Sequence, residues 1–464
     1  MSRSLSAAGI FCLLNVVSPI SYAETLQEAW STALQSSNQV VASKKQVEAS
    51  DAFVSVAKAA RYPSLTLTGT YTAIDNPIEV DIALPDSITF DPSDVQTSPL
   101  FQNLLNLFPD FVIPIPDGFQ TFVLPQTEFG VAGVQAALPL YTGGQITNAI
   151  KAAKSRREAT EWQSKQTTYQ VMLNVASAYT GVLRTQRFVK AAEQQVSTLA
   201  EHVNDVQNLS DAGMVARSDL LGIKSAHAQA EQRLLQAKNG EMLAKSAYNQ
   251  LMNRDLDVPV QLEEVAPPGA APSLEDSINQ AKNQRPELKT LESTVSALDH
   301  AANAIAGGAM PKVGLTAGYQ YLDVDMLADK TIGYAGIGMQ WKLLDWGIVR
   351  NQTKSARSNA EATRAQVEDV RRGISLQVRQ AWLDLDAALN QISVAKTSLD
   401  YSSEGLRETQ ERFRNSMATN SEVLDAETRR TGSEVAYDNA VYNAIYNDLR
   451  LKYATGNLSP DLVK

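Results

Sequence analysis

A chain of 464 residues, 44% of them hydrophobic, can bury a substantial core and is too apolar to be disordered throughout. Its net charge of −10 offers no basic patch to displace counterions, which argues against nucleic acid as a partner. The single cysteine, Cys12, falls in a leader-like N-terminal segment. The mature chain therefore carries no disulfide and must be stabilised by packing or assembly.

Residues 1–23 read as a secretory signal: Arg3, an apolar run from Ala7 to Val17, then Ser21-Tyr22-Ala23 as the cleavage site. The run is short for a membrane helix, and no other stretch approaches the roughly twenty apolar residues such a helix requires. Export is thus expected, with any membrane insertion made by strands. Phe11 before Cys12 argues against lipidation.

The first repeat is expected over residues 24–258. A helical pattern runs from Glu24 to about Ala60 and is stopped by Tyr62-Pro63. A strand follows at about 64–72, with alternating Leu65-Thr66-Leu67-Thr68. Residues 73–128 form an insertion with eight of the 18 prolines, nine acidic residues and no Lys or Arg. Its apolar cluster (Leu100, Phe101, Leu104, Leu105, Leu107, Phe108, Phe111) argues against simple disorder, because disordered segments are poor in such residues. A second strand, about 130–140, alternates Ala132, Val134, Ala136 and Leu138 against Gly133, Gln135, Ala137 and Pro139.

After Tyr141-Thr142-Gly143-Gly144 a helix is predicted to about Ser210, with Val175, Val182, Val189, Val196 and Val203 in heptad spacing. Near seventy residues make a rod on the order of 100 Å long. A hairpin tip is expected at about 209–219, where Gly213 suits a helix C-cap and Ser218 the N-cap of a helix returning to about Arg254.

A Pro-rich linker, 259–272, leads to a second repeat over 273–455 and a short tail, 456–464. Leu274 to Ile305 repeats the opening helix. Strands are expected at about 312–321 and 333–343, the latter including Trp341 and Leu343. A second tip lies at about 412–422, with Ser421 as the N-cap. The stretch Gly130–Thr160 returns as Gly333–Thr363, with Gly130, Gly133, Gly144, Asn148, Lys151 and Glu158 among the identical positions.

Four strands with one wetted face cannot close a barrel, and open strand edges are not tolerated in lipid. Two copies would supply eight strands and three would supply twelve. Eight leave little lumen, whereas the small inward residues Gly133, Ala137, Gly314, Gly318, Gly336 and Gly338 favour an open one. Tyr71, Tyr141, Tyr319, Tyr321, Trp341 and Trp346 sit near strand ends, as an aromatic girdle requires.

This doubled strand–strand–long-helix plan, with Ala212-Gly213-Met214-Val215, Glu422-Val423-Leu424-Asp425-Ala426 and the junctions Tyr141-Thr142-Gly143-Gly144 and Asp345-Trp346-Gly347, resembles the TolC family of outer-membrane ducts. The resemblance implies a mainly α fold with a β membrane part. Three chains would form a 12-stranded outer-membrane β-barrel, four strands each, continued by a periplasmic α-helical barrel. It further implies a homotrimer, a periplasmic adaptor (membrane fusion protein) and an inner-membrane transporter as partners, and outer-membrane lipid around the barrel.

Position by position, the resemblance makes Gly213, Met214, Val215, Ser416 and Met417 the adaptor-binding tips. Ser218, Asp219 and Phe413 match links that hold the periplasmic end closed; Ala418 replaces the basic partner, leaving Arg217 or Arg414 to substitute. Glu422 and Asp425 match acidic constriction rings, which in three copies would favour cations.

No catalytic motif, metal site or cofactor site is expected. His202, His227 and His300 are isolated and assigned to the surface. The expected function is a passive exit duct of a tripartite efflux pump or type I secretion system. The alternative is a periplasmic or surface coiled-coil scaffold without a pore, which needs neither the strands nor the signal.

Overall fold

The computed structural model describes residues 23–76, 78–82, 120–124, 126–325 and 327–459. It is mainly helical with a small antiparallel sheet, and it divides into two units. The helical unit takes in Met1–Ser55, Ala149–Ala302 and Thr353–Lys464, as far as these are described; the strand unit takes in Val56–Asn148 and Asn303–Gln352.

The helices are α1 (Leu26–Ser36), α2 (Asn38–Ala59), α3 (Gln145–Asp211), α4 (Arg217–Leu251), α5 (Leu274–Gln284), α6 (Pro286–Ala306), α7 (Ile348–Arg414) and α8 (Asn420–Ala454). Helices α3 and α7 are each 67 residues long, and α4 and α8 are each 35. None of the described helices is long and apolar enough to cross a membrane.

The opening helix differs from expectation: it is two helices, broken where Ser37 turns extended (φ −66°, ψ 120°). The Leu274–Ile305 helix breaks likewise at Arg285 (φ −61°, ψ 123°). Pro286 explains the second break, because its ring drives the preceding residue out of the helical region. At the first, the adjacent Ser36, Ser37 and Asn38 are weak helix formers whose side chains compete for backbone partners. A capping box of Thr25 and Glu28 fixes the start of α1.

The largest core cluster packs Leu26, Ala29, Trp30 and Ala33 of α1 onto Met172, Val175, Ala176, Tyr179 and Val182 of α3, with Tyr248 of α4 and Ile445 and Leu449 of α8. Trp30 is fully buried, and its Nε1 donates to the Met172 carbonyl at 2.8 Å. The Tyr179 hydroxyl is shared between the carbonyls of Glu24 (2.7 Å) and Glu263 (2.8 Å). Burial raises the pKa of this phenol, so it remains a donor. A second cluster joins Ala281 and Leu288 to Ile374, Val378 and Leu385 of α7 and Leu451 of α8.

The predicted heptad seam of α3 is buried at Val175, Val182 and Val189. Beyond that it moves to Gln195, Leu199, His202 and Val206, leaving Val196 and Val203 only partly covered. A straight helix drifts against a strict seven-residue repeat, so the contact line slips by one position.

The strand unit contains β1 (Ser64–Ala73), β4 (Glu128–Tyr141), β5 (Lys312–Leu322) and β6 (Thr331–Gln340) in an antiparallel sheet of that order. The paired strands β2 (Ile78–Ile82) and β3 (Gln120–Leu124) form a separate ladder inside the acidic insertion. The insertion's apolar cluster, Leu100 to Phe111, lies outside the described residues. The fourth sheet strand ends at Gln340, earlier than predicted, so Trp341 and Leu343 lie beyond it. Register shifts between Pro139 and Tyr141, where proline has no N–H to give the ladder.

Candidate functional site

The pairing register of the sheet decides which side chains share a face. Leu67 lies opposite Val134, Val134 opposite Tyr319, and Leu315 opposite Ile337. With Leu65, Ala132, Ala136, Leu138, Val313, Ala335 and Met339 these form one apolar face. The other face carries Ser64, Thr66, Thr68 and Thr70, then Gly133, Gln135 and Ala137, then Thr316 and Gln320, then Gly336 and Gly338.

The apolar face is bare: Leu67 is 78% and Ile337 72% exposed. A contiguous uncovered surface of this kind marks a lipid or protein contact. Within the described chain β1 and β6 are the edge strands of the sheet. On the polar face, Gly336 and Gly338 have open space above them, whereas the Tyr334 ring lies across Gly318, where a Cβ would come within 2.6 Å of Cζ. The expected small-residue gap at Gly318 is therefore filled by a tyrosine.

The girdle candidates fall at opposite ends of the sheet. Tyr71 opposes Gly130, and Tyr321 and Tyr319 oppose Ala132 and Val134. At the other end Tyr141 opposes Val313, and Trp341, one residue past β6, donates from Nε1 to the Ala309 carbonyl at 3.0 Å. Trp346 lies off the sheet in the turn before α7, in the left-handed region (φ 54°).

At the other candidate site, the hairpin turns α3–α4 and α7–α8, the two turns share one construction. The Met214 amide donates to the Leu209 carbonyl and the Met417 amide to Arg412, both at 2.8 Å. Gly213 (φ 72°) and Ser416 (φ 58°) supply the left-handed residue such a helix ending needs. Met214 and Met417 project into solvent, while Val215 packs partly onto the cluster below. Ser416 carries a Cβ in a conformation that costs an L-residue roughly 1–2 kcal/mol. Ser416→Gly is thus expected to stabilise the turn by up to about 1 kcal/mol, and Gly213→Ala to destabilise it similarly. Proteolytic cleavage rates at the two turns measure both.

The structure corrects the predicted caps. The N-caps are Ala216, without a side-chain bond, and Thr419, whose hydroxyl accepts from the Glu422 amide at 3.3 Å. Ser218 and Ser421 sit two residues further on, inside α4 and α8. Arg414 lies 3.8 Å from Asp205, whereas Arg217 makes no ion pair among the described residues. Phe413 is buried in a cluster with Leu199, Val206, Leu220, Ile223 and Val423. Glu422 and Asp425 are exposed in the first turns of α8, with no ion pair among the described residues.

The surface assignment of His202 is overturned. It is 6% exposed, its Nε2 lies 2.8 Å from the Asn420 Oδ1, and its ring meets Phe413 edge-on at 4.8 Å. Asn420 in turn donates to the Asp219 carbonyl at 3.2 Å. A polar residue at the shifted seam spacing 199, 202, 206 is the sequence signal that marks this position. His227 is half-buried, 3.8 Å from Glu231, and His300 is half-buried, its Nδ1 without a hydrogen-bond partner among the described residues. Among the described residues no group of three or more His, Cys, Asp or Glu could hold a metal ion.

The family model described as outer membrane efflux protein matches residues 120–253 and 277–457. The chain is 22% identical over 348 residues to the outer membrane efflux protein BepC of Brucella suis biovar 1 (strain 1330), across 73% of this chain and 75% of that protein. It is 23% identical over 317 residues to the outer membrane protein TolC of Escherichia coli (strain K12), across 64% of this chain and 63% of that protein. The fold is similar to that of the outer membrane protein VceC of Vibrio cholerae, with a TM-score of 0.72 at 17% identity, covering 93% of this chain and 96% of that one.

Proposed function

The chain belongs to the outer membrane efflux protein family, and from that premise we propose that three copies form a passive duct through the outer membrane and periplasm. The observation that carries this reading is the four-stranded sheet, with one exposed apolar face, one face of Thr, Gln and Gly, and two edge strands. Lipid cannot satisfy open edges, so β1 of one copy would pair with β6 of the next. Three copies give a closed barrel of twelve strands with the Thr/Gln/Gly face inward. The signal at residues 1–23 would deliver the chain to the periplasm, without lipidation. Equal lengths of α3 and α7, and of α4 and α8, support an origin in two repeats, 24–258 and 273–455.

In this reading the long helices build a periplasmic tunnel. Its turns, with Gly213, Met214, Val215, Ser416 and Met417, receive a periplasmic adaptor that connects to an inner-membrane transporter. Exposed methionines suit such a contact because their unbranched side chains adapt to a partner's surface. Ser218, Asp219, Phe413 and Arg414 surround the narrow end, and Glu422 with Asp425 line it. Energy comes from the transporter, as a tripartite efflux pump or a type I secretion system.

Single-channel recording in planar bilayers tests this. Wild-type protein should give discrete cation-selective steps, because three copies of two carboxylates make a negatively charged ring. Glu422→Ala with Asp425→Ala should keep the steps and lose the selectivity. Unchanged selectivity would discard the acidic ring, and a folded protein that never conducts would discard the duct.

A further inference from the structure

The four strands of the sheet contain only two charged residues, Glu128 and Lys312. Glu128 falls on the apolar face, where the Tyr71 hydroxyl donates to it. Lys312 falls on the other face, by the same alternation that brings Thr316 and Gln320 there. It is therefore the one charge on a face otherwise made of Thr, Gln, Ser, Gly and apolar residues.

Lys312 pairs with Gln340 across β5 and β6, and both line a cavity of about 370 Å³ that also takes in Lys342, Gln145, Gln352 and Asp345. All of these belong to the strand unit. They lie at the end of the sheet where β4 and β6 lead into α3 and α7. At the opposite end, Lys330 is held between Asp323 (2.7 Å) and Asp325 (3.2 Å). Lys312 and Lys342 are exposed and make no hydrogen bond or ion pair among the described residues. Asp345 acts on Lys342 through its charge, but both its oxygens accept from backbone amides, those of Gly347 and Val349, at 2.9 Å each. One carboxylate committed to a turn, against two free ammonium groups, leaves the cavity positive.

We propose that Lys312 and Lys342 form an anion-binding site in the lumen, at the foot of the barrel, for solutes that carry phosphate or carboxylate groups. This rests on the duct reading above and names a ligand class for it. Two like charges in one cavity repel each other. An anion between them relieves that repulsion and accepts charge-assisted hydrogen bonds from both. Gln145, Gln340 and Gln352 offer amide N–H groups to its remaining oxygens. The volume falls in the range of small-molecule sites. Three copies would bring two lysines each to one level of the lumen, and rings of Lys are a pore element that selects anions. Glu422 and Asp425 belong to the helical unit, so the two charged sites can be removed one at a time.

The test is block of single-channel current by inorganic triphosphate in planar bilayers. Wild-type steps should be blocked, and more strongly at about 0.1 M than at about 1 M KCl, where the Debye length falls from about 10 Å to about 3 Å. Both lysines are exposed, so exchanging them leaves the fold intact. Lys312→Gln with Lys342→Gln should need about tenfold more triphosphate for the same block, and should be more cation-selective than wild type. Lys312→Arg with Lys342→Arg keeps both charges and should keep the block. Equal block of wild type and the Gln pair would overturn the site and leave the duct intact, as would loss of block in the Arg pair. The absence of conducting steps in all three folded proteins would remove the duct and the lumenal site with it.

Discussion

Ile337→Arg is expected to abolish stable assembly in the outer membrane, whereas Thr316→Arg should assemble and conduct less. Ile337 stands 72% exposed on the apolar face, paired with Leu315. An arginine there would face hydrocarbon, at about 2–4 kcal/mol near the bilayer midplane, and the penalty would recur in every copy. Thr316 precedes the adjacent Gly318 on the opposite face and lies opposite Gly336, which has open space above it. An arginine at 316 would therefore enter water and partly obstruct the lumen. Outer-membrane fractionation, with electrophoresis of unheated samples for the oligomer, reads the first outcome and single-channel conductance the second. Equal tolerance of both substitutions would refute the assignment of the two faces.

Trp30→Ala is expected to cost about 3–5 kcal/mol of stability, the range for emptying a large aromatic site in a packed core. Trp30 is fully enclosed by α3, α4 and α8 residues and holds the Met172 carbonyl through its indole nitrogen. The cavity would lie where α1 docks, and α1 has only four buried residues to hold it. Trp30→Phe keeps most of the apolar contact and loses the hydrogen bond, so it should cost markedly less. The guanidinium midpoint of the detergent-solubilised protein measures both. A Trp30→Ala protein as stable as wild type would show that α1 contributes little to this core.

Much of this architecture was legible locally. Alternation such as Leu65-Thr66-Leu67-Thr68 needs only the two-residue period of a strand, and the seven-residue spacing from Val175 to Val203 needs only the helical one. Gly213 announced a helix end because a left-handed residue follows from glycine's missing Cβ. Ser416 occupies the equivalent conformation without that signal and was legible only through its place 203 positions after Gly213, the same shift that relates Gly130–Thr160 to Gly333–Thr363.

What the tertiary structure decided is where one element meets another. Whether His202 faces solvent or a neighbouring hairpin depends on how the α3 seam drifts over many turns, and no window of a few residues contains that information. The same holds for Asn420 and Asp219, which the chain separates from His202 by 218 and from Asn420 by 201 positions respectively. The sheet's two faces were predictable strand by strand, but their alignment across β1, β4, β5 and β6 required the pairing register. Periodicity is a property of a segment, and a contact is a property of two. The sequence by itself therefore determined the segments of this chain, and packing alone determined which side chains join them.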